Sequence, residues 1–200
     1  TEIGWPTQKH RLTVPGLLRT ALATALSGKK KDAWHILVMD DPTFSRTAAP
    51  SEELLASELP ANSRVRRLSL DALLTALDAH DVDAVMLPFD ESYPATGFDR
   101  LYRYMREGGT LVEFGGAPFY YARTRAADGT WQQDNTFRLP NFRFGLEAWW
   151  MDKPRIPEKM QVHLTGSAQA LDAPKEGFTA TRFIAPRGLK EGDRFIPLAA

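Results

Sequence analysis

Cysteine is absent from all 200 residues, which excludes disulfides, thiolate metal sites and any cysteine nucleophile, and leaves the redox compartment open. Net charge is absent too. The 25 Lys and Arg balance the 25 Asp and Glu, so composition carries no basic footprint for nucleic acid or anionic lipid. No apolar stretch approaches the roughly 20 residues of a membrane span, and the chain opens without a signal-peptide core. It begins at Thr1 without methionine and ends in the apolar Arg194-Phe-Ile-Pro-Leu-Ala-Ala200, which reads as a processed or excised segment of a longer parent. Histidine is scarce and scattered: His10, His35, His80 and His163 form no metal-ligand spacing. Neither metal nor cofactor is expected. The most basic run, Lys29-Lys30-Lys31, follows a helix and a glycine, where cations complement the helix dipole.

What is present can bury one sizeable core, or one domain with an appendage, at 43% hydrophobic residues. Thr13 and Pro15 open a helix whose apolar face runs from Leu17 to Leu26, and Gly28 ends it. Trp34 to Met39 is an apolar strand closed by Asp40-Asp41-Pro42, where the two acids suit capping and turn formation. Glu52 and Glu53 start a helix through Leu59; Arg64 to Leu68 is a weaker strand with the arginines of a sheet edge. Ser69 is placed to cap a helix from Leu70 to His80, with apolar residues at helical spacing. Val82 to Leu87 is the third strand, Gly97 to Glu107 the next helix and Thr110 to Phe114 the fourth strand. Alternation at this spacing predicts a parallel sheet. Beyond it, Lys159 to Leu164, Phe178 to Ile184 and Phe195 to Leu198 have the pattern of further strands.

The segment Tyr104-Met-Arg-Glu-Gly-Gly-Thr-Leu-Val-Glu-Phe-Gly-Gly-Ala-Pro-Phe-Tyr-Tyr121 joins a helix end, a Gly-Gly stop, a short apolar strand and a tight glycine turn. It resembles the nucleophile elbow of class I glutamine amidotransferases, where a strand delivers Gly-x-Cys-x-Gly. Laid on that motif, Phe114 takes the place of the cysteine, followed by Gly115 and Gly116. The resemblance implies that Phe114 is buried at the end of a central parallel strand. It also implies a degenerate elbow, since a phenyl ring cannot attack a carbonyl. The family's later His-x-Glu pair is missing as well, because His163 has no glutamate two residues on. Amidotransferase chemistry is therefore not expected.

Cysteine-less relatives of that family are similar to domains inside large secreted glycoside hydrolases, including the trimerisation domain of some β-galactosidases. Asp83-Ala-Val-Met-Leu-Pro88 and Phe195-Ile-Pro-Leu198 resemble such domains in this order along the chain. The resemblance implies a periplasmic or secreted setting, other domains of the parent chain as partners, and a homo-oligomer. A second likeness, of Ile36-Leu-Val-Met-Asp-Asp41 to the opening of response-regulator receivers, lacks its phosphate acceptor: Pro88 stands at the matching strand end.

Two constellations remain. Asp40, Asp41, Asp90, Glu91 and Glu113 fall at or near the carboxyl ends of the predicted parallel strands, where α/β sheets place their sites. Glu113 stands inside an apolar strand and calls for a partner such as Arg100 or Arg103 on the preceding helix. Residues 119–150 hold nine of the chain's 21 aromatics. Trp131, Trp149 and Trp150, with neighbouring Gln, Asp and Glu, suit core or interdomain packing and also sugar stacking. A density this high predicts that part of the segment stays exposed as an apolar patch. Ala127-Asp-Gly129 reads as a turn.

The expected architecture is α/β: a flavodoxin-like doubly wound parallel sheet over 13–122, with an aromatic-rich irregular or β extension over 123–200 whose C-terminal strands complete or flank the same domain. The expected function is that of a non-catalytic accessory domain of a larger carbohydrate-active enzyme, structural, interfacial or sugar-contacting. The alternative is a free-standing hydrolase using Asp90, Glu91 or Glu113.

Overall fold

The structure is a computed structural model. It describes residues 19, 22–23, 25–26, 32–44, 49–88, 92–113, 119 and 121–134, together with the backbone of 147–150, 160–162, 178–180 and 182–185.

Four strands form a parallel sheet: β1 (Trp34–Met39), β2 (Ser63–Leu68), β3 (Ala84–Leu87) and β5 (Thr110–Glu113), in the order β2-β1-β3-β5. Between them run the helices α1 (Glu52–Glu58), α2 (Leu70–Ala76) and α3 (Phe98–Arg106). The all-apolar inner strands serve two cores by alternation, as strands covered on both faces must. Leu37 and Met39 of β1, with Val85 and Leu87 of β3, join Leu70, Leu73 and Leu74 of α2 and Phe98, Leu101 and Tyr104 of α3. Trp34, Ile36 and Val38, with Ala84 and Met86, face the other way onto Leu55 of α1 and the preceding Leu22 and Leu26. The α/β expectation holds.

Register between β1 and β3 is pinned by Asp83. Its Oδ2 accepts the His35 N–H at 2.9 Å, its own N–H donates to the His35 carbonyl at 2.8 Å, and its carbonyl accepts Thr110 N–H at 3.1 Å. The side chain is buried, and a buried carboxylate of this kind is tolerable because its bonds replace water.

Several boundaries differ from the sequence expectation. The helix from Leu70 stops being α-helical at Ala76 and tightens into a 3-10 turn over Leu77–Ala79, because His80 takes a left-handed conformation with φ 53°. The strand Thr110–Glu113, expected at the centre of the sheet, is an end strand among the described residues. Its four residues are only half-buried, whereas all four of β3 are buried. Among the described residues no strand pairs with its other edge. Instead β4 (Ser92–Pro94), which has no apolar run long enough to read as a strand, pairs in parallel with β6 (Tyr121–Arg125), and β6 pairs antiparallel with β7 (Trp131–Gln133).

The β6–β7 connection is the predicted Ala127-Asp-Gly129 turn. Ala126 N–H bonds to the Thr130 carbonyl at 2.8 Å, Gly129 takes φ 85°, and Asp128 Oδ1 accepts from the Thr130 N–H and hydroxyl at 3.0 and 2.7 Å. A left-handed residue closing a three-residue loop is a favoured hairpin geometry. β6 spans residue 122, and Trp131 of β7 packs against the larger core.

Farther on, β8 (Glu147–Trp150) pairs antiparallel with β11 (Arg182–Ala185), and β9 (Met160–Val162) with β10 (Phe178–Ala180). The single strand predicted over 178–184 is thus two short strands with different partners. The strand predicted at Phe195 to Leu198 lies outside the described residues. No helix among the described residues is long and apolar enough to cross a membrane.

Candidate functional site

The carboxyl ends of β1 and β5 carry the acids that the sequence singled out. Asp40 pairs with Arg67 at 3.3 Å. Asp41 folds back on its own turn: Oδ1 accepts from the Thr43 N–H at 3.1 Å and the Thr43 hydroxyl at 2.6 Å, while Oδ2 accepts the Leu70 N–H at 3.0 Å. Partial burial pushes the Asp41 carboxyl up, but the bonds from Thr43, Leu70 and Phe44 together outweigh it and hold the pKa below its ordinary value. Ser69 occupies the N-cap position of α2 yet makes no side-chain capping bond. The capping role expected of Ser69 is thus performed by an aspartate 29 residues upstream of Leu70.

Glu113 behaves differently. Its Oε1 accepts the Phe119 N–H at 3.4 Å, and Oε2 is sealed from water with no hydrogen-bond partner among the described residues. Although the residue as a whole is half-buried, its carboxyl is not. Burial pushes its pKa up to about 8, only partly offset by the Phe119 bond, so the group holds a proton at neutral pH. The arginine partners expected for it are elsewhere. Arg100 and Arg103 lie on the exposed face of α3, and Arg100 pairs with Asp78 at 3.7 Å. The physical reason is helical phase: Leu101 and Tyr104 turn into the core, which turns both arginines out. Phe119, which holds Glu113, has φ 54°, a strained conformation for an aromatic residue.

Trp131 lies beside the same apolar cluster that contains Phe119. Phe44 meets its ring edge-on at 4.8 Å between centroids, and the Arg125 guanidinium lies 4.8 Å from the ring centroid. Arg125 in turn pairs with Asp71 of α2 at 2.9 Å, and Arg123 donates to the Phe44 carbonyl at 2.7 Å. The indole Nε1 is buried without a partner among the described residues. This arginine-and-aromatic seam ties the hairpin to α2 and to the β1 turn. Sequence reading missed Arg123 and Arg125; their signal was the alternation of Arg123-Thr-Arg125 within an aromatic segment. The apolar patch expected here is not seen over 121–134, since Val65 is the one exposed large apolar side chain among the described residues.

Trp149 and Trp150 lie in β8, opposite Phe183 and Arg182. The elbow residues Phe114, Gly115 and Gly116, and the acids Asp90 and Glu91, lie outside the described residues. Among the described residues, no three His, Asp or Glu side chains gather as a metal-binding group.

No family model, curated protein or solved structure matches this chain.

Proposed function

We propose that this chain is a flavodoxin-like accessory domain that supports a larger carbohydrate-active protein by packing and contact rather than by catalysis. The strand order, second-first-third-fourth of the parallel strands, is compatible with the flavodoxin-like arrangement. One observation carries the non-catalytic reading: the described strand-end carboxylates are committed within the fold. Asp40 neutralises Arg67, Asp41 caps α2, and the Glu113 carboxyl is buried with one oxygen on the Phe119 N–H. Glycoside hydrolysis needs two carboxyl groups facing each other across a substrate-sized gap, and each of these three is instead engaged or buried within the fold. A parent glycoside hydrolase, a secreted or periplasmic setting and a homo-oligomer follow from the family resemblance alone.

The test is turnover and binding by the purified chain. No hydrolysis of chromogenic glycosides is expected, and oligosaccharides that contact the aromatic hairpin should quench tryptophan fluorescence, less so in Trp131→Ala. Turnover abolished by Glu113→Gln would overturn the accessory reading.

A second reading has one observation in its favour. A carboxyl whose pKa is raised to about 8 keeps its proton at neutral pH, as a general acid must. A hydrolase built on Glu113 with Asp90 or Glu91 would show the turnover just described.

A further inference from the structure

Among the described residues, β2 is the outer strand at the far end of the parallel sheet from β5. In a parallel pair, alternate residues direct both backbone groups to the neighbouring strand. Trp34 N–H bonds to the Asn62 carbonyl at 3.1 Å and Asp40 N–H to the Leu68 carbonyl at 2.9 Å, so the even-numbered residues of β2 serve β1. Ser63, Val65 and Arg67 therefore turn their backbone outward. The Ser63 N–H is taken by Pro60 at 2.9 Å. The N–H and carbonyl groups of Val65 and Arg67, and the Ser63 carbonyl, have no bond among the described residues.

The side chains of this edge sort by face. Val65, 38% exposed, borders a groove walled by Leu55, Ala56 and Leu59. On the opposite face Arg64 and Arg66 border a second groove lined by Ala72, Ala76 and Ala79 of the next helical segment. Both arginines are exposed, and neither has an acidic partner among the described residues. Asp81, which lines that second groove, is already held by His35 Nδ1 at 2.9 Å.

We propose that the outer edge of β2 is a strand-addition site for an extended partner segment in which acidic and apolar residues alternate. Backbone groups without a bond among the described residues supply the ladder that such peptides extend. Because side chains alternate across an added strand, its carboxylates fall beside Arg64 and Arg66 while its apolar residues fall beside Val65 and the Leu55–Leu59 groove. Arginine binds carboxylate through paired, charge-assisted bonds, so the two guanidinium groups select the partner. They also disfavour a second copy of this chain. Antiparallel pairing of two β2 edges centred on Val65 sets Arg64 of one copy against Arg66 of the other, and like charges directly opposite are destabilising. The edge serves in this way whether or not the chain contacts sugar.

The probe is a fluorescein-labelled peptide of alternating glutamate and valine, titrated into the full chain at low salt and followed by fluorescence anisotropy beside a lysine–valine counterpart. Saturable binding of the glutamate peptide alone is expected. Combining Arg64→Glu with Arg66→Glu should weaken it about tenfold or more, through loss of the charge-assisted bonds. Both positions are exposed, and circular dichroism checks that the double variant is folded. N-methylation of the peptide amides along its binding edge should abolish the interaction with the unaltered chain. Equal binding of both peptides, or indifference to N-methylation, overturns the proposal. So does an absence of binding at millimolar peptide, which would leave the arginines as guards of the edge. Dimerisation of the chain that the double variant abolishes would give the edge to a second copy and overturn it too.

Discussion

Asp41 accepts the backbone N–H of Leu70 at 3.0 Å, so the end of β1 caps a helix that follows a different strand. The bond joins two elements that the sequence keeps well apart, and it displaces the adjacent Ser69 from the role its position suggests.

Loss of that cap should be measurable. Asp41→Ala is expected to destabilise the fold by about 1–2 kcal/mol, the usual range for a lost N-cap, whereas Ser69→Ala should fall within about 0.5 kcal/mol of the parent. Urea denaturation of the two variants makes the comparison. The pH dependence follows from the lowered Asp41 pKa. A carboxyl depressed in the folded state stabilises above its unfolded pKa and loses that contribution as pH falls through the folded value. Stability should therefore drop below about pH 4, and Asp41→Asn should lack that part of the drop.

Glu113 should act in the opposite direction. Its folded pKa, raised to about 8, means that the unfolded chain releases this proton while the folded chain retains it. Stability from this group falls as pH rises from about 4.5 towards 8 and levels off above. Glu113→Gln, which keeps an acceptor for the Phe119 N–H, should match the parent near pH 4 and exceed it near pH 8, by on the order of a few kcal/mol. Chemical denaturation across that range is the measurement. A flat difference between the two proteins would show that the carboxyl is not sealed.

The Gly-Gly stop should fail differently at its two positions. Gly109 N–H bonds to the Tyr104 carbonyl and Gly108 N–H to the Met105 carbonyl, each at 3.0 Å, with Gly108 at φ 93°. This is a Schellman closure. A Cβ on Gly108 would meet nothing, so Gly108→Ala should cost only the left-handed penalty, about 1–2 kcal/mol. A Cβ on Gly109 would lie 2.3 Å from the Tyr104 ring, and that ring's hydroxyl donates to the Thr110 carbonyl at 3.2 Å. Gly109→Ala should therefore displace Tyr104 and cost about 1–3 kcal/mol through overpacking. Only this variant should change tyrosine fluorescence and near-UV dichroism.

Trp131→Ala removes the ring that Phe44 and Arg125 share. An expected loss of about 3 kcal/mol would show the hairpin to be part of the cooperative core. Arg125→Ala, which takes away the cation and frees Asp71, should cost about 1 kcal/mol or less at this exposed pair. Thermal unfolding of both variants tests the order.

Much of the candidate site was legible as residue types and little of it as geometry. Asp40, Asp41 and Glu113 could be placed at strand ends because strand lengths and closing residues are local signals. Turn formation and capping could be read for the Asp40-Asp41 pair, and Asp41 does both, but not the partners, because each lies remote in sequence or beyond the strand: Arg67 for Asp40, Leu70 for Asp41, the Phe119 backbone for Glu113. The strand Ser92–Pro94 escaped notice since three residues carry no periodicity, and its pairing with Tyr121–Arg125 is a long-range event.

The amino-acid sequence by itself determined the alternation of strands and helices, the two-sided apolar character of β1 and β3, the arginine-marked edge of β2, and the glycines that end α3. These rest on side-chain period and on bonds within a few residues, which the local chain dictates. Tertiary structure alone decided that Thr110–Glu113 is an end strand among the described residues, that a second sheet forms from β4, β6 and β7, and that one strand-end acid is sealed while its neighbours are paired. Those outcomes depend on which distant surfaces exclude water from which groups. A carboxylate's fate is set by the partners and dielectric brought to it by the folded whole.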